Sequence, residues 1–370
     1  KNLAEHLLTN EFNMHGMNLV AASAGTGKTF SIQTLYLRLV LLEKLSVRQI
    51  LVVTFTKAAT KELRERLQHI LRATLDALDG KLTAPEERIV TLLALVEDRE
   101  QARSIIQQAL LDFDLAAIFT IHGFCQRMLA RFAFETGQYF NAETTEDARV
   151  EIQRACHDWW RKNIYPLDAA RAEKILLASS VTLDTLIDLT TKRIQKSDAR
   201  WVPTPIRFGD IDWSADLTDP SYALQIVNGM AEEIADTYRQ QRPHGLTSSF
   251  DDFLLNLRDA LRNEERGTQL CATLRNEFRA AMIDEFQDTD PIQWGIFETL
   301  FANQTIPCFL VGDPKQAIYR FRNGDIQTYL AATQKITATY ALLRNYRSES
   351  RIIDAVNQLF IDRQAATFQH

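Results

Sequence analysis

The stretch VAASAGTGKTFSI, Val20 to Ile32, decides how the rest of the chain is read. An apolar run meets a small flexible loop, then a lysine and a threonine, and a helical pattern begins. It fits the phosphate-loop pattern [A/G]-x-x-x-x-G-K-[S/T] with Ala22 in the first position, so the loop comprises Ala22, Ser23, Ala24, Gly25, Thr26, Gly27, Lys28 and Thr29. Gly25 and Gly27 let backbone N–H groups turn toward a β-phosphate. Lys28 can reach the β- and γ-phosphates, Thr29 can hold Mg²⁺, and the following helix points its positive end at the anion. The bland alternative is a glycine turn with an incidental lysine. The strand before it and the helix after it supply the context that the phosphate reading needs.

A phosphate loop needs an acidic partner at the end of another strand, and AAMIDEFQDTDPIQW supplies it. Asp284 ends an apolar run and is placed to hold magnesium through water. Glu285 is placed to polarise an attacking water. Gln287, Asp288 and Asp290 carry the polar run onward. In FLVGDPKQAIYRFRNGDI, Gln316 could sense a γ-phosphate, and Tyr319, Phe321 and Arg322 form an aromatic and basic cluster suited to stacking on bases. Tyr319 and Phe321 read equally well as core. VVTFTKAATKELRERL puts Thr54, Phe55, Thr56 and Lys57 at a strand end, where hydroxyls and free helix N–H groups suit phosphate contacts. IFTIHGFCQRML repeats that logic with Thr120, His122 and Gly123; His122 reads as structural or DNA-contacting. In LLRNYRSESRI, Tyr346 could stack on a purine and Arg347 could reach the γ-phosphate.

The short apolar runs NLVAAS, QILVVTFT, LAAIFTI, AAMIDEF and CFLVGD alternate with helical patterns. They predict an α/β fold: a P-loop NTPase domain with a buried parallel sheet, interrupted by a mostly helical inserted subdomain. The expected organisation is a first part of the ATPase domain at 1–141, a helical insertion at 142–245, a second part at 246–341, and a linker with the start of a further domain at 342–370. After Tyr340 a new helix, SRIIDAVNQLF, is expected. The ending in QAATFQH reads as a cut through a larger protein.

Composition bounds the partners. The formal charge is -6 over 370 residues, so any nucleic-acid contact must be local. The four cysteines are scattered with no C-x-x-C pair, which argues against a zinc site or disulfide framework and favours a reducing cytoplasm. No apolar run approaches the ~20 residues that span a bilayer, so no membrane partner is expected.

The set and order of these motifs resemble superfamily 1 DNA helicases of the UvrD/Rep type. Finer details in Ala21 to Phe30, FTIHGFCQRML, MIDEFQDTDPIQ and GDPKQAIYRFRNGDI resemble the RecB family, the beta subunits of exodeoxyribonuclease V. The resemblance covers the α/β portions and is weak in the helical insertion. It implies a RecA-like motor domain that uses ATP and Mg²⁺. Lys28 and Thr29 would hold the triphosphate and magnesium, Asp284 the magnesium, and Glu285 would be the general base. Gln316 and Arg347 would contact the γ-phosphate and Tyr346 would stack on adenine. Thr54, Phe55, Thr56, Thr120, His122, Tyr319, Phe321 and Arg322 would belong to the single-strand path. The position of the family's adenine-reading glutamine is taken by His15, which puts two-point reading of adenine in doubt. The resemblance further implies 3′-to-5′ translocation on DNA, duplex ends as substrate, and RecC-like and RecD-like partner subunits. It also implies a second motor domain and a nuclease domain beyond these 370 residues. The rival reading is a nucleotide-switched DNA-binding or scaffold module that does not hydrolyse ATP.

Overall fold

The structure is a computed structural model that describes residues 3–9, 12–23, 25–132, 143–144, 148–179, 181–195, 200–241, 247–248, 250–316, 326–342 and a few positions from 348 to 358. The chain divides into two compact units, one of residues 1–128 with 254–370 and one of residues 129–253. The sequence pattern alone places the helical insertion at 142–245.

The first unit is built on a six-stranded sheet. Its strands are β1 (Met17–Ala22), β2 (Ile50–Thr54), β3 (Ile118–Thr120), β6 (Ala280–Ile283), β7 (Cys308–Gly312) and β8 (Ala338–Leu342), in the order β3-β2-β6-β7-β1-β8. Every pairing in it is parallel. Strands β2, β6 and β7 are buried at every position, as apolar runs covered on both faces must be. Strand β8 is not among the strands read from the sequence, and the helix expected over SRIIDAVNQLF (350–360) has its described positions 351, 352, 354 and 358 in helical conformation. The residues of β8, ATYAL, alternate in exposure along the sheet edge beside β1. Such a half-exposed edge strand has no continuous apolar run to announce it.

The register lines up the carboxyl ends. Thr54 pairs with Thr120, Val53 with Ile283, Ile283 with Leu310, and Ala21 with Gly312. The loops that leave β1, β2, β3, β6 and β7 therefore emerge along one edge of the sheet, where open α/β sheets place their ligands.

Helix α2 (Lys28–Leu41) follows β1. The sequence placed Ile32, Leu35, Tyr36 and Leu39 on one face, yet every residue from Ser31 to Leu41 is buried. The outer side of α2 is covered by α3 (Lys57–Leu78), α4 (Glu87–Ala94) and α5 (Arg99–Leu111). Thr56 caps α3 by accepting from the Ala59 N–H at 3.1 Å, and α3 buries Leu63, Leu67, Ile70 and Leu71 against this layer.

The second unit is helical. Helices α7 (Ala148–Asn163), α8 (Ala169–Ser179), α9 (Leu183–Gln195) and α10 (Pro220–Gln241) enclose their own core of Ile152, Cys156, Trp159, Leu186, Met230 and Ile234. A two-residue parallel bridge, β4 (Glu143–Thr144) with β5 (Thr247–Ser248), joins its ends. The stretch around Trp201 to Trp213 lies on α10. It comes so close that a Cβ at Gly229 would stand 1.7 Å from the Ile206 carbonyl oxygen.

Among the described residues no helix is long and apolar enough to cross a membrane. All four cysteines are free and buried.

Candidate functional site

A cleft of about 600 Å³ opens at the carboxyl end of β1. It is lined by Ala22, Ser23, Gly25, Gly27, Lys28, Thr29, Phe30, Arg66, Glu285 and Gln316. The loop that shapes it depends on glycine at two positions. Gly25 has φ +77° and Gly27 has φ +89°, left-handed values that a side chain adopts only under strain. Thr26 closes the turn, donating its N–H and its hydroxyl to the Ser23 carbonyl at 3.2 and 2.7 Å. Gly27 precedes α2, so the first helical N–H groups face the cleft with no side-chain cap.

The acidic side of the cleft comes from the turn after β6. Strand β7 lies between β6 and β1, so a carboxylate after β6 must reach across it, a lateral distance of about 10 Å for two strand spacings. Gly312 ends β7 where the turn crosses. A Cβ there would stand 2.5 Å from Gln287 Oε1 and 3.2 Å from the Phe286 nitrogen. With no side chain at Gly312, the 284–288 turn folds over the end of β7. Glu285 takes a left-handed conformation, φ 53°, to do so, a strained setting for a residue with a Cβ. Lys28 Nζ then pairs with Glu285 Oε1 and lies 3.7 Å from Asp284 Oδ1.

Burial is the main electrostatic influence here. Asp284 is pushed up to about 6, first by burial and then by the Glu285 charge, against the pull of Lys28. Asp288 is also pushed up to about 6, by burial and by Glu285. Its Oδ1 is buried with no hydrogen-bond partner. Two acids of one turn held above their usual range, with Lys28 the cation beside them, mark a place short of positive charge. The donors available are oxygens, Thr29 Oγ1 and the Asp284 carboxylate. They suit a hard cation that keeps waters and phosphate oxygens as its other ligands. Among the described residues no cluster of three or more His, Cys, Asp or Glu could hold a metal unaided.

Residues 5–337 match the UvrD/REP helicase N-terminal domain. The chain belongs to the UvrD/REP helicase family. Its relatives include the RecBCD enzyme subunit RecB of Escherichia coli strain K12, 33% identical with 97% of this chain aligned to 39% of that protein. The Haemophilus influenzae subunit of the same name is 28% identical over 94% of this chain and 40% of its own length. That of Mycobacterium tuberculosis strain CDC 1551 is 31% identical over 95% of this chain and 30% of its own length. The chain spans between 30% and 40% of the length of these relatives.

The remaining residues singled out in the sequence fall in several places. His15 precedes β1 and is not among the cleft-lining residues; its Nδ1 stands 3.2 Å from the Thr305 carbonyl. Thr54 is fully buried, with its hydroxyl 2.5 Å from that of Thr60. Phe55 and His122 are half-buried. Thr120 accepts from the Gly123 N–H at 3.0 Å and lines a second, shallower cleft of about 440 Å³ with Lys57, Lys61, Arg64 and Phe119. Ala24, Tyr319, Phe321, Arg322, Tyr346 and Arg347 lie outside the described residues.

Sequence reasoning missed two side chains of the first cleft. Phe30 lines the first cleft, 48% exposed, with the Arg88 guanidinium 4.0 Å from its ring centre. Arg66 reaches the same cleft from α3 while paired with Glu62 at 2.7 Å. Helical spacing could have flagged Arg66 as sharing a face of α3 with Glu62. Only the packing of α3 beside α2 brings it to the phosphate loop.

Proposed function

We propose that this chain is the first motor domain of an ATP-driven DNA translocase that moves 3′ to 5′ along a single strand. It would act on duplex ends with RecC-like and RecD-like subunits, in break repair and recombination in a reducing cytoplasm. In this reading 1–141 and 246–341 form the ATPase body, 142–245 is a helical insertion, and 342–370 leads into a second motor domain. The observation that carries the proposal is the meeting of Lys28 with Glu285 and Asp284 over a phosphate loop, in a chain of the UvrD/REP helicase family. The names of the RecB relatives supply the complex.

The chemistry asked of the residues is ATP hydrolysis. Loop N–H groups and Lys28 would cradle the phosphates, and Lys28 would leave Glu285 to do so. Thr29 and Asp284 would hold Mg²⁺, which supplies charge neutralisation at the β- and γ-phosphates. Glu285, released from Lys28, would take a proton from the attacking water. Gln316 and Arg347 would contact the γ-phosphate, and Tyr346 would stack on the base, with His15 near the base. A single strand would run past Thr54, Phe55, Thr56, Thr120, His122, Tyr319, Phe321 and Arg322. Thr54, buried and bonded to Thr60, would act by shaping that strand end.

The test is phosphate release with and without single-stranded DNA by the full-length protein, second motor domain included, beside calorimetry of nucleotide binding. The 370 residues alone are expected to bind nucleotide weakly, and neither to unwind duplex DNA nor to show strong DNA stimulation. DNA-stimulated release is expected, together with loss of nucleotide binding in Lys28→Ala. Glu285→Gln should bind ATP and not turn it over. Binding of equal strength in Lys28→Ala and wild type would overturn the site. Tight binding without turnover in the wild type would favour a nucleotide-switched module instead.

A further inference from the structure

Gln287 sits at the centre of a hydrogen-bonded chain that links Glu285 to Gln316. The residue is 2% exposed. Its Nε2 donates to Glu285 Oε2 at 2.7 Å and to Asp288 Oδ2 at 3.3 Å. Its Oε1 accepts from the Asp313 N–H at 3.0 Å. Asp313 carries the chain onward: its Oδ2 accepts from Gln316 Nε2 at 2.8 Å, and its Oδ1 from the Lys315 N–H at 3.1 Å. The orientation of the Gln287 amide is fixed by chemistry. The Asp313 N–H needs an acceptor, so the oxygen faces it, and the NH₂ group is left facing two carboxylates that can only accept when ionised.

The backbone enforces the same linkage. Gly312, between Gln287 and Asp313, leaves no room for a Cβ, because Gln287 Oε1 occupies that place at 2.5 Å. Glu285 has both carboxylate oxygens engaged, Oε1 by Lys28 and Oε2 by Gln287. When Lys28 turns to a phosphate, Gln287 is the contact that keeps Glu285 aimed.

We infer that Gln287 is a positioning residue that holds Glu285 for attack and ties it to Gln316, so that the carboxylate and the γ-phosphate sensor move as one unit. The inference rests on the reading of the cleft as an ATP-hydrolysing site. It separates two requirements. Nucleotide affinity comes from the phosphate loop and Lys28, which Gln287 does not touch. Turnover depends on the aim of Glu285, and a displacement of about 1 Å at a reacting group can cost about a hundredfold in rate.

The experiment uses the full-length protein, second motor domain included, with ATP, Mg²⁺ and single-stranded DNA, and compares wild type with Gln287→Met and Gly312→Ala. Methionine keeps the volume of Gln287 and removes all three of its side-chain hydrogen bonds. The alanine methyl displaces Gln287 from the other side of the same contact. Both variants are expected to lose about a hundredfold in kcat while the Kd for ATP stays within about twofold. A part that merely supports folding would move kcat and Kd together. Such a joint loss in both variants, or a wild-type kcat in either, would overturn the inference. The two variants perturb the linkage from opposite sides, so a folding defect in one leaves the other to decide. A wild-type chain without DNA-stimulated hydrolysis would instead overturn the proposed function, which separates the two failures.

Discussion

The two units bury acids in opposite ways. In the second unit, Glu232 and Glu233 sit side by side on α10 and both are fully employed. Glu232 accepts from Arg193 and from the Trp201 indole, and these hydrogen bonds hold its carboxyl below the usual range. Glu233 accepts from the Trp159 indole at 3.1 Å and the Phe208 N–H at 2.8 Å. In the first unit, Asp284 and Asp288 are held up at about 6 by burial. One pair of acids fastens a loop to a helix. The other pair is left wanting a cation. The contrast separates acids that the fold supplies with donors from acids that burial raises and leaves short of them. The total charge follows the same divide. Residues 129–253 carry 14 Lys and Arg against 20 Asp and Glu, which accounts for the whole formal charge of -6. The unit holding the phosphate loop is neutral overall, so its basic side chains need not work against a net negative field.

The largest expected effect tests how tightly the second unit is closed. Gly229→Ala puts a methyl group against the Ile206 carbonyl, a separation of 1.7 Å that the backbone must relieve. Overpacking of this kind costs about 1–3 kcal/mol or more, against about 1 kcal/mol gained in helix propensity. A net loss of about 2 kcal/mol is expected in urea unfolding followed by tryptophan fluorescence. Four of the five tryptophans belong to this unit, so that signal reports on it. An unchanged midpoint would mean that the 201–213 stretch is not held against α10.

Next in size is Glu232→Gln, which removes a charge from two hydrogen bonds while keeping the shape. A loss of about 1–2 kcal/mol is expected at pH 7. The sign with pH follows from the lowered carboxyl. The stabilisation is fully present above the unfolded value near 4.5 and is lost as pH falls through the lower folded value. The difference between wild type and Glu232→Gln should therefore shrink in acid. A difference that grows on acidification would reverse the assignment.

The smallest effect carries the opposite sign. Asp284→Asn removes a buried charge and keeps an oxygen for the Glu285 N–H, which Asp284 Oδ1 accepts at 2.9 Å. The nucleotide-free chain should become more stable at pH 7, by on the order of 1 kcal/mol. Because the folded carboxyl is raised from 3.8 to about 6, the folded state binds the extra proton between those values. Wild-type stability relative to Asp284→Asn should fall as pH rises from about 4 to about 6, then level off. Calorimetric melting across that range checks it. A destabilised Asp284→Asn at pH 7 would place Asp284 with Glu232 among the acids that fasten the fold.

Much of the fold could be read from local pattern. The apolar runs ending at Ala22, Thr54, Ile283 and Gly312 mark buried parallel strands, because a strand covered on both faces has no polar positions to interrupt it. The phosphate loop is likewise local: Gly25 and Gly27 announce left-handed backbone, and Lys28 and Thr29 follow within the same turn. Strand β8 escaped because an edge strand is half-exposed, and the all-round burial of α2 escaped because its outer cover comes from α3, α4 and α5. The partners of Trp159 and Trp201 escaped for a similar reason, since an indole N–H finds its acceptor some 31 to 74 residues away.

The sequence by itself determined which groups could handle a phosphate, because the backbone of a glycine turn and the type of side chain that follows it are set within a few residues. Only the tertiary structure decided that they meet. Lys28 and Glu285 are 257 positions apart, and their contact depends on the strand order β6-β7-β1, on parallel register, and on a missing side chain at Gly312. The linkage from Glu285 through Gln287 and Asp313 to Gln316 depends on the same crossing. Periodicity in a chain reports which face is buried, and it is blind to which strand comes to lie alongside; that choice is made by packing over the whole sheet.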